Sequence, residues 1–421
     1  MLNKLKPKSE FSRNVLTLMT GTTIAQAIPI AISPILTRIY TPEDFGIFAL
    51  YIGIVSFIAI IVTARYEMAI VLPKTDEEAI NIVGLSFIIM LSIVTFSTLA
   101  IFLFFEEILV LLNAQEVGNL LYLVPLSVFL SGLYQIFNYW ANRKKNFRTM
   151  SSSQIGQSVG VGIGQSGFGF IAINGGLVFG NLLGRFISVY TLVRKFIIDD
   201  KESLRNINKE DIIKQMKEHK DFPLVNSLHA FSDILRTSGS VMLISSFYGA
   251  TVLGFYALSL RILQVPVGIL SSALGQVLYP KFTALHNEKK SLYSYTRNIF
   301  LGLVAVGLPI FGVLYIVIPD LFAFLFGDTW KVAGEYSRVL IPYLFMNFLI
   351  SPISSIPIIL NKQKEIFYIS LVGNIMYLLV FILYNDSDIK ETLQILSFTQ
   401  VLFYTFVSHW YYKILKENLY E

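Results

Sequence analysis

The sequence predicts an all-α integral membrane protein of about twelve transmembrane helices. Three observations predict it. First, only 14% of its 421 residues are charged and 54% are hydrophobic, with 34 Phe and 22 Tyr among them. Soluble domains carry about 25% charged residues, and the mean hydropathy here is +0.63. Second, twelve apolar stretches approach the ~20 residues that a bilayer-spanning helix needs. Third, Lys and Arg gather on alternate loops, as they do on the cytoplasmic side of a polytopic protein.

The first stretch, 14–36, follows the basic N-terminus M-L-N-K-L-K-P-K-S-E-F-S-R. A cleaved signal needs a shorter apolar core and a small-residue cleavage site, so this segment reads as a retained first helix. The others fall at approximately 45–66, 82–105, 118–141, 152–172, 175–195, 223–247, 251–278, 298–319, 335–360, 366–384 and 392–412. Of the 33 basic residues, 26 sit on the two termini and on the connections after the even-numbered stretches. Only Arg38, Lys331 and Lys390 sit on the opposite side. The pattern places both termini in the cytoplasm. The outside loops are short, the longest running from Pro319 to about Gly334, which disfavours an external catalytic domain.

The stretch 196–222 is the one long polar segment. It divides the chain into a six-helix lobe (1–195), a cytoplasmic linker (196–222) and a second six-helix lobe (223–421). Within the linker, Asn208 is placed to cap a short helix with Ile212, Ile213 and Met216 on one face, suited to lying on anionic lipid. The halves also repeat. Tyr40, Gly46, Ala49 and Leu50 match Tyr248, Gly254, Ala257 and Leu258 at an offset of 208, and Leu72-Pro73-Lys74 matches Tyr279-Pro280-Lys281 at 207. Repeats of six helices share one orientation, which implies a pseudo-twofold axis along the membrane normal.

Other chemistries find little support. There is no Cys, and the four His (His219, His229, His286 and His409) show no ligand spacing, so neither a metal nor another cofactor is expected. No phosphate-binding loop with a Gly-Lys-Ser/Thr end is present. The net charge of +5 is explained by cytoplasmic loops, not by nucleic acid.

Several segments carry a family resemblance: L-T-R-I-Y-T-P-E-D-F-G-I-F-A-L-Y (36–51), A-R-Y-E-M-A-I-V-L-P-K (64–74), Y-Q-I-F-N-Y-W-A-N-R-K-K-N-F-R (134–148), L-G-F-Y-A-L-S-L-R-I-L-Q-V-P (253–266) and G-Q-V-L-Y-P-K-F (275–282). The chain resembles the polysaccharide-export branch of the multidrug/oligosaccharidyl-lipid/polysaccharide exporter superfamily, and within it the O-antigen (Wzx-type) flippases. The resemblance implies two pseudo-symmetric, MATE-like lobes around a central cavity. It also implies alternating access in a bacterial inner membrane, with a polyprenyl-diphosphate-linked glycan as cargo. Membrane lipid, a coupling proton or other ion, and a polysaccharide polymerase complex are the further partners this reading brings.

Few charges fall at membrane depth. Arg185, Asp233, Arg236 and Arg261 lie near the middle of their stretches. Each charge at a helix centre costs about 2.5–3.5 kcal/mol to insert. These groups should therefore face a wet cavity or a partner. Asp233 and Arg236, three apart on one helical face, can pair locally. Structural pairing can also satisfy Arg185 and Arg261. The sharper reading is a cationic cavity, since guanidinium is permanently charged and binds phosphate through two parallel hydrogen bonds. Arg65 and Glu67 lie at the cytoplasmic end of the second stretch, where two residues of spacing on a helix sends them to different faces. One reading makes them rim anchors that snorkel to water. The other has Arg65 capture the diphosphate and Glu67 carry an exchanged proton, with Asp233 a second ion-coupling candidate. Arg38, beside Glu43 and Asp44, is either part of an outer gate or of a solvated turn.

Gly156, Gly160 and Gly164 predict close helix packing. Pro29, Pro34, Pro266, Pro342, Pro352 and Pro357 predict kinks. Two rivals remain beside the flippase reading. A cation exporter of the same superfamily would put carboxylates in its cavity, against three deep Arg to one Asp here. A membrane glycan polymerase would need a larger outer region. A transporter without enzymatic activity is the expectation.

Overall fold

Helix starts follow local chemistry closely in this computed structural model, which describes residues 10–223 and 227–417. The basic residues Lys4, Lys6 and Lys8 lie outside the described residues. Thr41 caps α2 (Pro42–Ala59) with Pro42 in its first turn, and Asp44 completes a reciprocal capping box. Thr75 caps α3 (Asp76–Leu103), whose first turn carries three carboxylates suited to the helix dipole. Before them runs α1 (Glu10–Ile39), which contains Pro29 and Pro34. A short α4 (Phe105–Leu111) then leads through a 3-10 segment to α5 (Val124–Arg143), α6 (Phe147–Phe170) and α7 (Gly176–Asp200). In the polar linker, Asn208 does cap a helix, α8 (Lys209–Glu218), by accepting from the Asp211 amide at 2.9 Å.

The second half contains α9 (Ser227–Asn287), α10 (Leu292–Phe326), α11 (Lys331–Ile350), the single turn α12 (Ile356–Ile359), α13 (Gln363–Leu383) and α14 (Ile389–Glu417). The architecture is all-helical, with no strand among the described residues. Nine helical stretches among the described residues are long and apolar enough to cross a membrane, against about twelve expected. The difference has three sources. The glycine- and serine-rich α6 and the more polar α14 are less apolar than the other long helices, and α9 joins the expected 223–247 and 251–278 stretches in one element. That element breaks at Gly249, whose φ of 80° is left-handed. At the repeat offset of 208, Gly249 matches Thr41, where the first half turns from α1 into α2.

By internal contacts the chain forms two compact units, Met1–Ser246 and Phe247–Glu421. In the first, α6 and α7 approach through glycine. A β-carbon on Gly164 would stand 2.8 Å from the Gly180 Cα, so only hydrogen fits there. Ser153 donates to the Ser188 carbonyl across the same interface at 2.9 Å, and Gln165 Nε2 donates to the Leu177 carbonyl at 3.0 Å. Linker helix α8 is held to α3: the Asn208 amide donates to Asn81 Oδ1 at 2.9 Å, and Ile212 packs over Gly84. In the second unit, Phe282, Ile353, Ile356 and Ile414 anchor a buried core. Tyr256 and Tyr377 share a hydroxyl–hydroxyl hydrogen bond of 2.5 Å, and Ser259 donates to the Ala333 carbonyl at 2.6 Å. Two repeat-related tyrosines do similar work in their own units. Tyr40 donates to the Gln165 carbonyl at 2.7 Å, and Tyr248 to the Tyr384 carbonyl at 2.8 Å.

Candidate functional site

Helix α2 stops at Ala59 instead of continuing to about residue 66, and the chain turns sharply before α3. Ala64 and Arg65 both take left-handed backbone conformations, with φ of 46° and 64°. Two consecutive non-glycine residues in that region cost on the order of 1–3 kcal/mol each and persist only where the surroundings impose them. A 3-10 helix, Tyr66–Val71, follows. The matching residues of the second unit, around 272–274, stay inside α9 without a break. The turn therefore marks the first unit alone.

The turn corrects the expectation that Arg65 and Glu67 diverge. It brings Arg65 Nη1 to 3.8 Å from Glu67 Oε1. Nor does Glu67 snorkel: its side chain is 1% exposed, while that of Arg65 is 24% exposed. The Thr63 hydroxyl donates to Glu67 Oε2 and lies 3.4 Å from Gln135 Oε1. Gln135 Nε2 in turn donates to the Ala59 carbonyl at 3.1 Å, closing the end of α2. Tyr139, one turn further along α5, is within electrostatic reach of both charges. Burial pushes the Glu67 carboxyl above the usual carboxylate range, and the Thr63 hydrogen bond and Arg65 only partly oppose it.

Arg143 fastens this connection from α5. Its guanidinium donates to Asp76 Oδ1 at 2.9 Å and to the carbonyls of Ile70, Pro73 and Thr75 at 3.2, 2.7 and 2.8 Å. Lys144 bridges Asp76 at 2.5 Å and Asp200 at 3.0 Å, and Trp140 Nε1 donates to Asp200 Oδ2 at 3.0 Å. Burial by itself would lower the Lys144 ammonium. The hydrogen bonds to Asp76 and Asp200 outweigh it and leave the group above its ordinary value. These two cations, read from sequence only as cytoplasmic loop charge, hold the turn in place.

Arg185 on α7 is bound differently. Its guanidinium carbon lies 5.2 Å from the centre of the Tyr134 ring, and Nη1 is 3.4 Å from Gln157 Oε1 on α6. A neutral amide at that distance and an aromatic face compensate a positive charge only weakly. The ion pairs among the described residues do not include Arg185; the carboxylates on its own helix, Asp199 and Asp200, are held by Lys195 and Lys144. Helix α5 links the two places. Tyr134, Gln135, Asn138 and Tyr139 are all half-buried, with Tyr134 under Arg185 and Gln135 beside Thr63. The Asn138 Oδ1 atom is buried without a hydrogen-bond partner among the described residues. Polar and aromatic residues at i, i+1, i+4 and i+5 fall within two adjacent sectors of a helix, and that spacing was the signal available in the sequence.

The remaining candidates lie on other elements. Arg38, exposed at the end of α1, donates to the Pro34 carbonyl at 2.7 Å, while its neighbour Asp44 is engaged in the α2 cap. Asp233 is exposed and Arg236 half-buried on the first-unit part of α9, where the Thr237 hydroxyl donates to the Asp233 carbonyl at 3.1 Å. Arg261 is half-buried in the second unit. Among the described residues no cluster of His, Asp and Glu is built to hold a metal ion.

A family model described as polysaccharide biosynthesis protein matches residues 35–335. The succinoglycan biosynthesis transport protein ExoT of Rhizobium meliloti is 26% identical over 310 residues, covering 71% of this chain and 59% of its own length. The match thus spans less than two thirds of that relative. Among solved structures, the lipid II flippase MurJ in an inward closed conformation superposes with a TM-score of 0.75 at 13% identity, covering 96% of this chain and 91% of that one. An inward-facing multidrug resistance MATE family transporter of the MOP superfamily gives 0.74 at 13% identity, over 93% and 95%. At such identities the likeness is one of fold: a multi-pass, MATE- and MurJ-like helical membrane protein.

Proposed function

Because the chain belongs to the family of polysaccharide biosynthesis proteins, we propose that it is a flippase for a polyprenyl-diphosphate-linked oligosaccharide, an O-antigen repeat unit or a similar glycan. On this reading it moves its cargo from the cytoplasmic to the outer leaflet of the bacterial inner membrane by alternating access, with both termini cytoplasmic and no covalent chemistry. The relative named as a transport protein of succinoglycan biosynthesis and the fold neighbour named as a lipid II flippase support it.

The observation that carries the reading is Arg185: a guanidinium inside an apolar helical unit whose described contacts are an amide at 3.4 Å and a tyrosine face at 5.2 Å. Such a charge is costly to insert. It is compensated when a phosphate oxygen arrives, and guanidinium suits that ligand. Arg38, Arg65, Arg236 and Arg261 are the further phosphate- and glycan-binding candidates. The half-buried amides and phenols of α5 offer partners for sugar hydroxyls. Glu67 and Asp233 are the ion-coupling candidates. Of these Glu67 is the stronger, because its buried carboxyl takes up a proton readily and its neighbour Arg65 would feel the change. A diphosphate diester carries two negative charges, so an inside-negative potential of 100 mV favours export by roughly 4–5 kcal/mol.

The test is complementation of a deletion strain, scored by lipid-linked repeat units trapped on the inner leaflet. The wild-type gene should clear them, and Arg185→Ala should leave them trapped at normal protein levels. If a chain lacking Arg185, Arg236 and Arg261 together still clears them, the phosphate-binding reading is wrong.

A further inference from the structure

A second polar–apolar feature lies within the second unit. A groove of about 300 Å³ opens between the start of α10, the end of α11 and the end of α14. Its floor is apolar, made by Phe300, Ile350, Ile353 and Leu415. Thr296 also lines it; that residue is 4% exposed, and its buried hydroxyl oxygen has no hydrogen-bond partner among the described residues. At the mouth stand Arg297, which is exposed, and Tyr412, whose ring has the Lys416 ammonium 5.2 Å from its centre. Lys416 also hydrogen-bonds the Tyr412 side chain, and the described ion pairs at these helix ends are Lys290 with Glu288 and Lys413 with Glu417. The groove thus has an oily interior, one buried hydroxyl without a partner, and two cations at its entrance.

We propose that this groove binds one anionic glycerophospholipid of the inner leaflet. Basic residues concentrate at this end of both helices, beside Lys289 and Lys290 before α10 and Lys413 on α14, which places the entrance at the cytoplasmic surface. That leaflet carries the negative lipids, and juxtamembrane Lys and Arg attract them. A fatty acyl chain fills the apolar floor and the phosphodiester meets Arg297 and Lys416. A soluble anion would gain nothing from the apolar floor, and a zwitterionic lipid would gain little from the two cations.

Native mass spectrometry of the full-length protein in mild detergent tests this, with dioleoyl phosphatidylglycerol, dioleoyl phosphatidylcholine or inorganic phosphate added. Phosphatidylglycerol should be retained as one tightly held copy, and phosphatidylcholine and phosphate should not. Arg297→Gln should weaken retention roughly five-fold and the double variant with Lys416→Gln roughly twenty-five-fold, while Arg297→Lys should hold it. Both positions are at the surface, so folding is not at stake. Ser408→Phe, which fills the groove without touching either cation, should also displace the lipid. Equal retention of the two lipids, or undiminished phosphatidylglycerol in the double variant, would overturn the proposal. Binding of phosphate as tightly as lipid would overturn it too. Transport of the glycan is a separate readout, so the outcome stands apart from the flippase reading.

Discussion

Replacing Arg185 by Met should separate function from stability. An isolated guanidinium at a helix centre costs about 2.5–3.5 kcal/mol to place in the membrane. Against this, a cation–π contact at 5.2 Å is worth about 0.5–2 kcal/mol. The contact with Gln157, at 3.4 Å, is too long to add much. The balance leaves Arg185 unfavourable by about 0.5–3 kcal/mol, and Met fills similar volume without charge. Arg185→Met should therefore unfold at the same temperature as the wild type or a few degrees higher, read by thermal melting in detergent. Yet it should lose the phosphate contact. A hydrogen bond to a charged group is worth about 1.5–3 kcal/mol, so affinity for the lipid-linked diphosphate should fall roughly ten- to one-hundred-fold. Binding to reconstituted protein measures that directly. If the variant melts well below the wild type and binds the diphosphate unchanged, Arg185 is a structural residue and the reasoning fails.

Three further outcomes follow from the geometry. Glu67 carries a carboxyl raised in the folded protein, so its contribution to stability is fully present below its unfolded value of about 4.5 and is lost as pH rises through the higher folded value; melting curves should show that decline in the wild type, and Glu67→Gln should flatten it, whereas identical slopes would remove Glu67 as the titrating group. Arg143→Gln removes a side chain with four hydrogen bonds that pin the 60–75 turn; after discounting for the half-exposed Asp76, it should cost about 2–3 kcal/mol in chemical denaturation and also impair transport, because the Arg65–Glu67 turn loosens. Gly180→Ala would set a β-carbon 2.7 Å from the Gln165 Cα, and the resulting separation of α6 from α7 should destabilise the first unit by about 1–3 kcal/mol, visible as a lowered melting temperature that Gly167→Ala, with open space around it, does not share.

Composition and periodicity were enough to determine the membrane-spanning, all-helical class, because every helix facing lipid must be apolar and every cytoplasmic loop tends to be basic. Local chemistry was enough for the Asn208 cap of α8 and for the glycine contact between α6 and α7, since both depend on residues a few positions apart or on one small side chain. The repeat offset even aligned the Gly249 bend with the turn before α2. The Arg65–Glu67 turn was different. Neither Gly nor Pro marks residues 60–67, so the sequence reads there as a helix running on. The carbonyls that follow the turn are bound by a guanidinium from Arg143, about seventy positions away in sequence. Likewise, depth in the membrane singled out Arg185, but only folding showed that its neighbours are an amide and a ring and not a carboxylate. Hydropathy sums over neighbours in sequence, whereas the balance of a buried charge is set by neighbours in space, and those are fixed only when the helices pack.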